Sequence, residues 1–287
     1  MVPDEHRPHG DNEGDSEIVN HLVPLKAKIK DIRTETSEVK TYTLSLEKRF
    51  VMQPGQVNMI GYPGVGEAPI SISSLVSDGY FDHTIKAVGR VTRFIDTLRK
   101  GNYLFLRGPY GKGWPMDVAR QNNILLVAGG IGLAPLKPVI QMIMQKRNFF
   151  GEVTLIYGAR NEESFLFTND FERWRKGISL HLTVDEILHP DAWRGRVGLV
   201  TDLVAEVEID PDKTFAFVCG PEVMMRFVCR GIALRNVPPS RIYISMERRM
   251  KCGIGHCGHC QHYGLFVCKD GPIFPFDRVR GLPDGML

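Results

Sequence analysis

This chain offers little to a membrane, a nucleic acid or a secretion pathway. None of its apolar runs reaches the roughly 20 residues that a transmembrane helix needs. The formal net charge is only +3 over 287 residues, too small an excess to hold a polyphosphate backbone. The first stretch, to about Glu17, is polar and acidic and has no apolar core of the kind that marks a signal peptide. There are no internal repeats. Cysteine is sparse: of six, four fall in one short C-terminal segment. That distribution fits a reducing cytoplasm better than a secreted disulfide framework. What remains is an ordinary soluble composition, 43% hydrophobic and 24% charged, on a chain long enough for two domains and an appendage.

The four clustered cysteines, Cys252, Cys257, Cys260 and Cys268, are spaced C-x4-C-x2-C-x7-C. The first three share the spacing of the plant-type 2Fe–2S loop, while the fourth follows sooner than in that pattern. Thiolate is the ligand iron needs. Gly253, Gly255 and Gly258 let the backbone wrap an inorganic core and aim its amides at sulfur. A zinc ribbon needs two C-x2-C knuckles, and only one is present. Cys257-Gly258-His259 looks like half of a Rieske site, but Lys269, Asp270 and Gly271 stand where the second histidine should follow Cys268. His256, His259 and His262 are therefore expected to form a solvated basic rim. Spacing favours iron–sulfur, with a structural zinc as the alternative.

Two textures precede this loop. From Leu22 to about 118, short strands alternate with turn signals: Lys26–Ile32, Thr41–Leu46, Val57–Gly61, Ile70–Ser74, Phe81–Val88 and Tyr103–Arg107, with one helix at Val91–Arg99. This predicts an all-β barrel or sandwich. From 119 to 245, buried-type strands (Ile124–Ala128, Val153–Tyr157, Ser179–Val184, Thr214–Val218 and Arg241–Ser245) are interspersed with helices (Leu136–Lys146, Asn169–Arg175 and Glu222–Arg235). That alternation predicts a doubly wound parallel sheet. Residues 246–287 form the cysteine segment, and residues 1–21 read as a disordered leader.

Several motifs have both a functional and a plain reading. Gly129-Gly130-Ile131-Gly132-Leu133-Ala134-Pro135 joins a strand to a helix, where a pyrophosphate can meet free amides; a plain βα turn is the alternative. Cys219-Gly220-Pro221-Glu222 ends a later strand, on the side where ligands sit in open α/β sheets, although Cys219 is equally suited to be an apolar filler, as is Cys229. Gly89-Arg90-Val91-Thr92 opens a helix and suits a phosphate or an ordinary cap.

In order, the Ser-rich strand Ala68 to Ser74, G-R-V-T, Gly108-Pro109-Tyr110-Gly111, G-G-I-G-L-A-P, Tyr157-Gly158-Ala159-Arg160 and C-G-P-E resemble the ferredoxin–NADP reductase superfamily. With the cysteine loop added, the chain resembles its flavin- and NAD(P)-binding subunits of soluble NAD(P)-linked nickel–iron hydrogenases. The electron-transfer subunits of anaerobic sulfite reductase and of dihydroorotate dehydrogenase are near relatives. The resemblance runs from Leu22 to Arg280.

It implies an antiparallel Greek-key FAD-binding barrel, an NAD(P)-binding α/β domain and a small 2Fe–2S domain. Pro69, Ile70, Ser71, Ile72 and Ser73 would lie along the flavin, and Gly89, Arg90, Val91 and Thr92 would hold its pyrophosphate. Gly130, Gly132 and Pro135 would shape the nicotinamide-nucleotide site, Arg160 would reach the adenosine half, and Cys219, Gly220, Pro221 and Glu222 would face the nicotinamide. Ser71, Cys219 and Glu222 are the residues expected beside the reacting atoms. Where the wider superfamily has R-x-Y-S this chain has Ala68-Pro69-Ile70-Ser71, so Arg90 or Arg93 is expected to replace the missing charge. Arg160, with Glu162 and Glu163 close behind, suggests use of both NADH and NADPH. Arg248, Arg249 and Lys251 beside the cluster are expected to steer a redox partner. The implied role is a cytoplasmic electron-transfer subunit, carrying FAD, NAD(P)H and a 2Fe–2S cluster, whose partners are the catalytic and electron-transfer subunits of a hydrogenase-like complex.

Overall fold

The computed structural model describes residues 22–47, 50–191 and 193–281; the expected leader, 1–21, lies outside them. The first region contains β1 (Leu25–Thr34), β2 (Val39–Ser45), β3 (Val57–Tyr62), β4 (Gly66–Ser71), β5 (Tyr80–Lys86), α1 (Arg90–Asp96) and β6 (Tyr103–Tyr110). They form a six-stranded sheet in the order β4-β3-β6-β1-β2-β5, antiparallel throughout. β6 inserts between β1 and β3, which gives the long-range crossing of a Greek key. Period-two alternation puts Ala27, Ile29, Tyr42, Leu44, Ile60, Phe81, Ile85, Leu104 and Leu106 inside, where Ile95 of α1 joins them. The two edge strands meet at a single bridge, Ile72 with His83. The sheet is thus strongly curled, and hydrogen bonds from Thr84 to Ser73 and from His83 to Ser71 join the same two edges.

The second region contains β7 (Asn123–Gly129), α2 (Leu133–Gln145), β8 (Val153–Ala159), α3 (Phe171–Arg175), β9 (Ser179–Val184), β10 (Arg196–Val197), α4 (Val200–Glu206), β11 (Thr214–Cys219), α5 (Glu222–Leu234) and β12 (Ile242–Ser245). The C-terminal segment adds β13 (Gln261–His262), β14 (Leu265–Phe266), α6 (Val267–Asp270), β15 (Ile273–Pro275) and α7 (Phe276–Val279). The main sheet has seven strands in the order β10-β9-β8-β7-β11-β12-β15. All its neighbours are parallel except β12 with β15. β7 and β11 are near-continuous apolar runs because both faces of the sheet are covered. One face packs on Leu136, Val139, Ile140 and Ile143 of α2; the other packs on α4, α5 and the cysteine segment. Among the described residues no helix is long and apolar enough to cross a membrane.

Strand order reverses at β7: the chain first winds outward through β8 and β9, then returns to β11 on the other side. A crevice therefore opens at the carboxyl ends of β7 and β11, where the Gly129–Gly132 and Cys219–Pro221 turns lie. The cysteine segment is no loose appendage, since β15 closes the sheet edge and Cys260, Val267, Cys268 and Phe276 share a core with Val57, Met59 and Tyr110 of the curled sheet. Sequence periodicity missed α4, β10 and β15 because each is too short, or too exposed, to show a period.

Tyr157 fastens the fold beneath the crevice. Its buried hydroxyl donates to the Gly130 carbonyl at 3.1 Å and accepts from the Leu166 amide at 3.1 Å. Tyr157→Phe should cost about 1–3 kcal/mol by leaving both groups unpaired, read as a lower urea midpoint at unchanged slope; an unshifted midpoint contradicts this role.

Candidate functional site

The crevice holds a cavity of about 790 Å³. Its floor is the Gly129–Gly132 turn, faced by Cys219, Gly220, Pro221 and Glu222, with Arg160 and Asn161 at one end and Thr36, Glu38 and Val39 of the curled sheet across the mouth. The turn is tight for a steric reason. A Cβ on Gly132 would stand 2.3 Å from the Cys219 carbonyl oxygen, and Gly130 has φ of +52°. Backbone alone fits there, which leaves the amides at the start of α2 for an anion. Cys219 lines this cavity yet is 3% exposed, and burial, with the Glu247 charge next, pushes its thiol far above the ordinary range. It faces the crevice as a neutral thiol.

Arg160 donates to Glu186 at 2.9 Å. Glu162 accepts from the Leu188 amide at 3.0 Å and from the His189 amide, while Glu163 takes the His189 ring at 3.0 Å. The carboxylates following Arg160 are thus engaged with the 188–189 loop.

A second cavity, of about 530 Å³, lies under β4. Ala68, Pro69, Ile70 and Ser71 form one wall, Val57, Thr84 and Ile85 another, and Ala134 and Pro135 a third. Its lining is mainly apolar with a few polar groups at the edges, as a flat ring system requires. Ile72 and Ser73 turn the other way. Ile72 is 1% exposed, and Ser73, fully buried, accepts from the Thr84 hydroxyl at 2.9 Å. Thr92 reaches the cavity wall, and its hydroxyl also accepts from the Gly89 amide at 2.9 Å and the Val88 amide at 3.1 Å, the capping geometry of a helix start. Arg90 donates instead to the Val65 carbonyl at 2.6 Å, and Val91 packs on the core of the curled sheet. The positive charges at this cavity are Lys86, Arg248 and Arg249, with Glu247 beside them; the sequence alone places Arg248 and Arg249 in partner steering.

The two cavities share a wall of Lys86, Ile131, Met246 and Glu247. Beside this junction, His83 is fully buried: its Nδ1 donates to the Ser71 carbonyl at 2.8 Å and its Nε2 faces the Asn58 amide nitrogen at 3.0 Å. Burial holds its pKa down to about 4, so it is a neutral structural support for β4. Glu247 was missed from sequence; its place just past the carboxyl end of β12 was the available signal.

Six residues beyond Met246 the chain enters the cysteine loop. The Cys252 thiol is influenced by Cys257 and the Cys268 thiol by Cys260, so the four fall into two pairs. The His256 and Cys257 amides donate to the Cys252 sulfur at 3.3 and 3.4 Å, Gly255 to Cys268 at 3.1 Å and Cys268 to Cys260 at 3.5 Å. Four thiols in two pairs, each pair receiving backbone N–H donors, are a donor set suited to a cluster of two irons. Among the described residues no three His, Cys, Asp or Glu side chains are arranged around a single ion. His256 and His259 are exposed, as a rim requires. His262 is not: it is 4% exposed and its Nδ1 accepts from Arg248 at 2.8 Å.

Comparison with known proteins agrees with this geometry. An oxidoreductase NAD-binding domain profile matches residues 126–230, and the profile of the iron–sulfur cluster binding domain of dihydroorotate dehydrogenase B matches 247–280. The gamma subunit of sulfhydrogenase 2 from Pyrococcus furiosus is 35% identical over 271 residues, covering 87% of this chain and 94% of that one. A probable dihydroorotate dehydrogenase B electron-transfer subunit from Methanocaldococcus jannaschii is 36% identical, covering 90% and 91%. Among solved structures, an NADH-dependent reduced ferredoxin–NADP oxidoreductase matches with a TM-score of 0.71, 25% identity and 88% of each chain covered. The ferredoxin reductase of carbazole 1,9a-dioxygenase shares the fold, with a TM-score of 0.67, 21% identity, and 77% and 68% coverage. The fold and its sites define a flavin- and NAD-binding oxidoreductase of the ferredoxin–NADP reductase type. Within it, the chain belongs to the family of sulfhydrogenase gamma subunits and dihydroorotate dehydrogenase B electron-transfer subunits.

The thiols differ in acidity. Burial raises Cys252, but amide hydrogen bonds from Cys257, His256 and Ile254 outweigh it and hold the thiol down to about 6. Burial and the Cys260 partner push Cys268 up to about 12. In cluster-free protein, Cys252 alkylation should therefore rise through pH 6 and level off by about pH 8, with Cys268 unreactive over that range. Equal reactivity of the two, followed by peptide mass spectrometry, contradicts the assignment.

Proposed function

We propose that this chain is the NAD(P)H-oxidising electron-transfer subunit of a cytoplasmic, hydrogenase-type complex, working in either direction between a nicotinamide and a one-electron partner. The observation that carries the reading is the shared wall between the two cavities, with the cysteine loop six residues further along the same strand exit. When bound, FAD exchanges two electrons with a nicotinamide and passes them one at a time to a 2Fe–2S cluster.

The residues supply position and electrostatics. The Gly129–Gly132 turn and the start of α2 take the nucleotide pyrophosphate, and Pro221 and Glu222 border the nicotinamide end. Pro69, Ile70 and Ser71 lie along the flavin, where Arg248 and Arg249 supply the positive charge that Ala68 lacks. Cys219, held neutral by burial, would line the nicotinamide end without competing for a proton. Lys86 and Glu38, paired at 3.1 Å, line the first cavity. Cys252, Cys257, Cys260 and Cys268 hold the cluster. Because Glu186 pairs with Arg160, NADH is favoured over NADPH within the use of both. The effect is a few-fold, since the pair is exposed.

Anaerobically purified protein should carry about two irons and two acid-labile sulfides per chain, and should reduce artificial one-electron dyes with NADH while neither evolving hydrogen nor oxidising dihydroorotate alone. Zinc without iron, or hydrogen turnover by the lone chain, contradicts the reading. Arg249→Ala should weaken FAD retention at least tenfold and leave iron content unchanged; unaltered retention returns the flavin charge to Arg90 or Arg93. A second reading is favoured by the match of 247–280 to the dihydroorotate dehydrogenase B cluster domain. The complex purified from source cells decides between them: hydrogen oxidation supports the first, dihydroorotate oxidation the second.

A further inference from the structure

We infer that Arg107 is a positioning residue that locks the cysteine loop to the flavin-side sheet; the part of this inference that concerns a bound cluster rests on the function proposed above. Arg107 is near the end of β6, 8% exposed, and every N–H of its guanidinium is used. Nε and Nη2 grip the Glu67 carboxylate at 2.9 and 2.6 Å. Nη1 donates to the Tyr110 hydroxyl at 3.1 Å. The remaining two donors cross to the C-terminal segment, Nη2 to the Lys251 carbonyl at 2.7 Å and Nη1 to the Cys252 carbonyl at 3.2 Å.

Each end of this fork is tied to a different site. Glu67 immediately precedes Ala68–Ser71, the strand that lines the second cavity, so the carboxylate anchors the guanidinium to the flavin wall. Lys251 and Cys252 open the cysteine loop. Tyr110 completes the seat: a Cβ on Gly253, at φ of +82°, would fall 2.4–2.6 Å from its ring atoms, so the loop lies directly on the ring. Only a planar fork can hold a carboxylate on one edge and two successive carbonyls on another; a lysine ammonium has three donors and no such geometry. The result fixes the first cysteine relative to the flavin wall and places a cation beside it, which favours the reduced, more negative state of a bound cluster.

The test compares Arg107→Met, Arg107→Lys and Tyr110→Phe. In cluster-free protein, trypsin should cut after Lys251 at least tenfold faster in both arginine variants and about threefold faster in Tyr110→Phe. Lysine should fail to rescue although it keeps the charge. In the loaded protein, Arg107→Met should lower the cluster midpoint potential and broaden its electron paramagnetic resonance signal, with the rate of flavin reduction by NADH unchanged. Cleavage and spectra like wild type in the arginine variants overturn the inference. If those variants do not fold, Tyr110→Phe decides, and wild-type cleavage with a wild-type spectrum overturns it. The protease arm needs no cluster, so wild-type protein that binds no iron refutes the proposed function while the clamp is still judged on cleavage alone.

Discussion

The molecule depends on one short run of backbone, from Ser245 at the end of β12 to Cys252. Within it, Met246 and Glu247 wall both cavities, Arg248 and Arg249 face the second, Met250 is buried beneath it, and Cys252 is the first thiol. A strand leaving a parallel sheet at its carboxyl end is already aimed at the ligand crevice. Here the chain passes along that crevice rather than away from it, so a nucleotide site, a flavin site and a cysteine loop become neighbours without any long connection. The physical requirement is that the run be held at both ends. Pairing of β12 with β15 holds one, and the Arg107 fork holds the other.

Electrostatics follow from this arrangement. Burial keeps Cys219, His83 and Tyr157 neutral, while the wall that the two cavities share carries Lys86 and Glu247. Further charge stands in Glu38, which pairs with Lys86, and in Arg248 and Arg249 of the second cavity. With the nearby thiol and imidazole neutral, the charged groups are left to serve binding rather than proton transfer.

Much of this was legible in the sequence. The β-rich and alternating β/α regions followed from strand spacing and from unbroken apolar runs such as Ile124–Ala128, and the cysteine spacing pointed to a cluster. Motif order brought Gly130, Gly132, Cys219, Gly220, Pro221, Glu222 and Arg160 to one cavity. Other residues were opaque because their roles arise only from long-range contact. Arg107 meets Lys251 across 144 positions, and no local pattern announces that. Glu67 stands just before the Ala68–Ser74 motif and carries no signal of its own. Arg90 carries a phosphate role by its motif, and its one bond to the Val65 carbonyl across 25 positions is not visible in that motif. Ile72 and Ser73 follow Ser71 in the motif, but here the chain leaves β4 for the bridge to His83 and turns both inward. His262 sits among exposed histidines in sequence and is buried only because the β13–β14 turn folds it against Arg248.

The central claim is that electrons reach the cysteine loop only through the second cavity. Its most direct test is the NADH-dependent electron paramagnetic resonance signal of the cluster in flavin-depleted protein, compared with the same sample after FAD is restored. The account predicts no reduced-cluster signal within seconds of mixing in the depleted protein and full signal after reconstitution. A cluster reduced equally fast without flavin contradicts it.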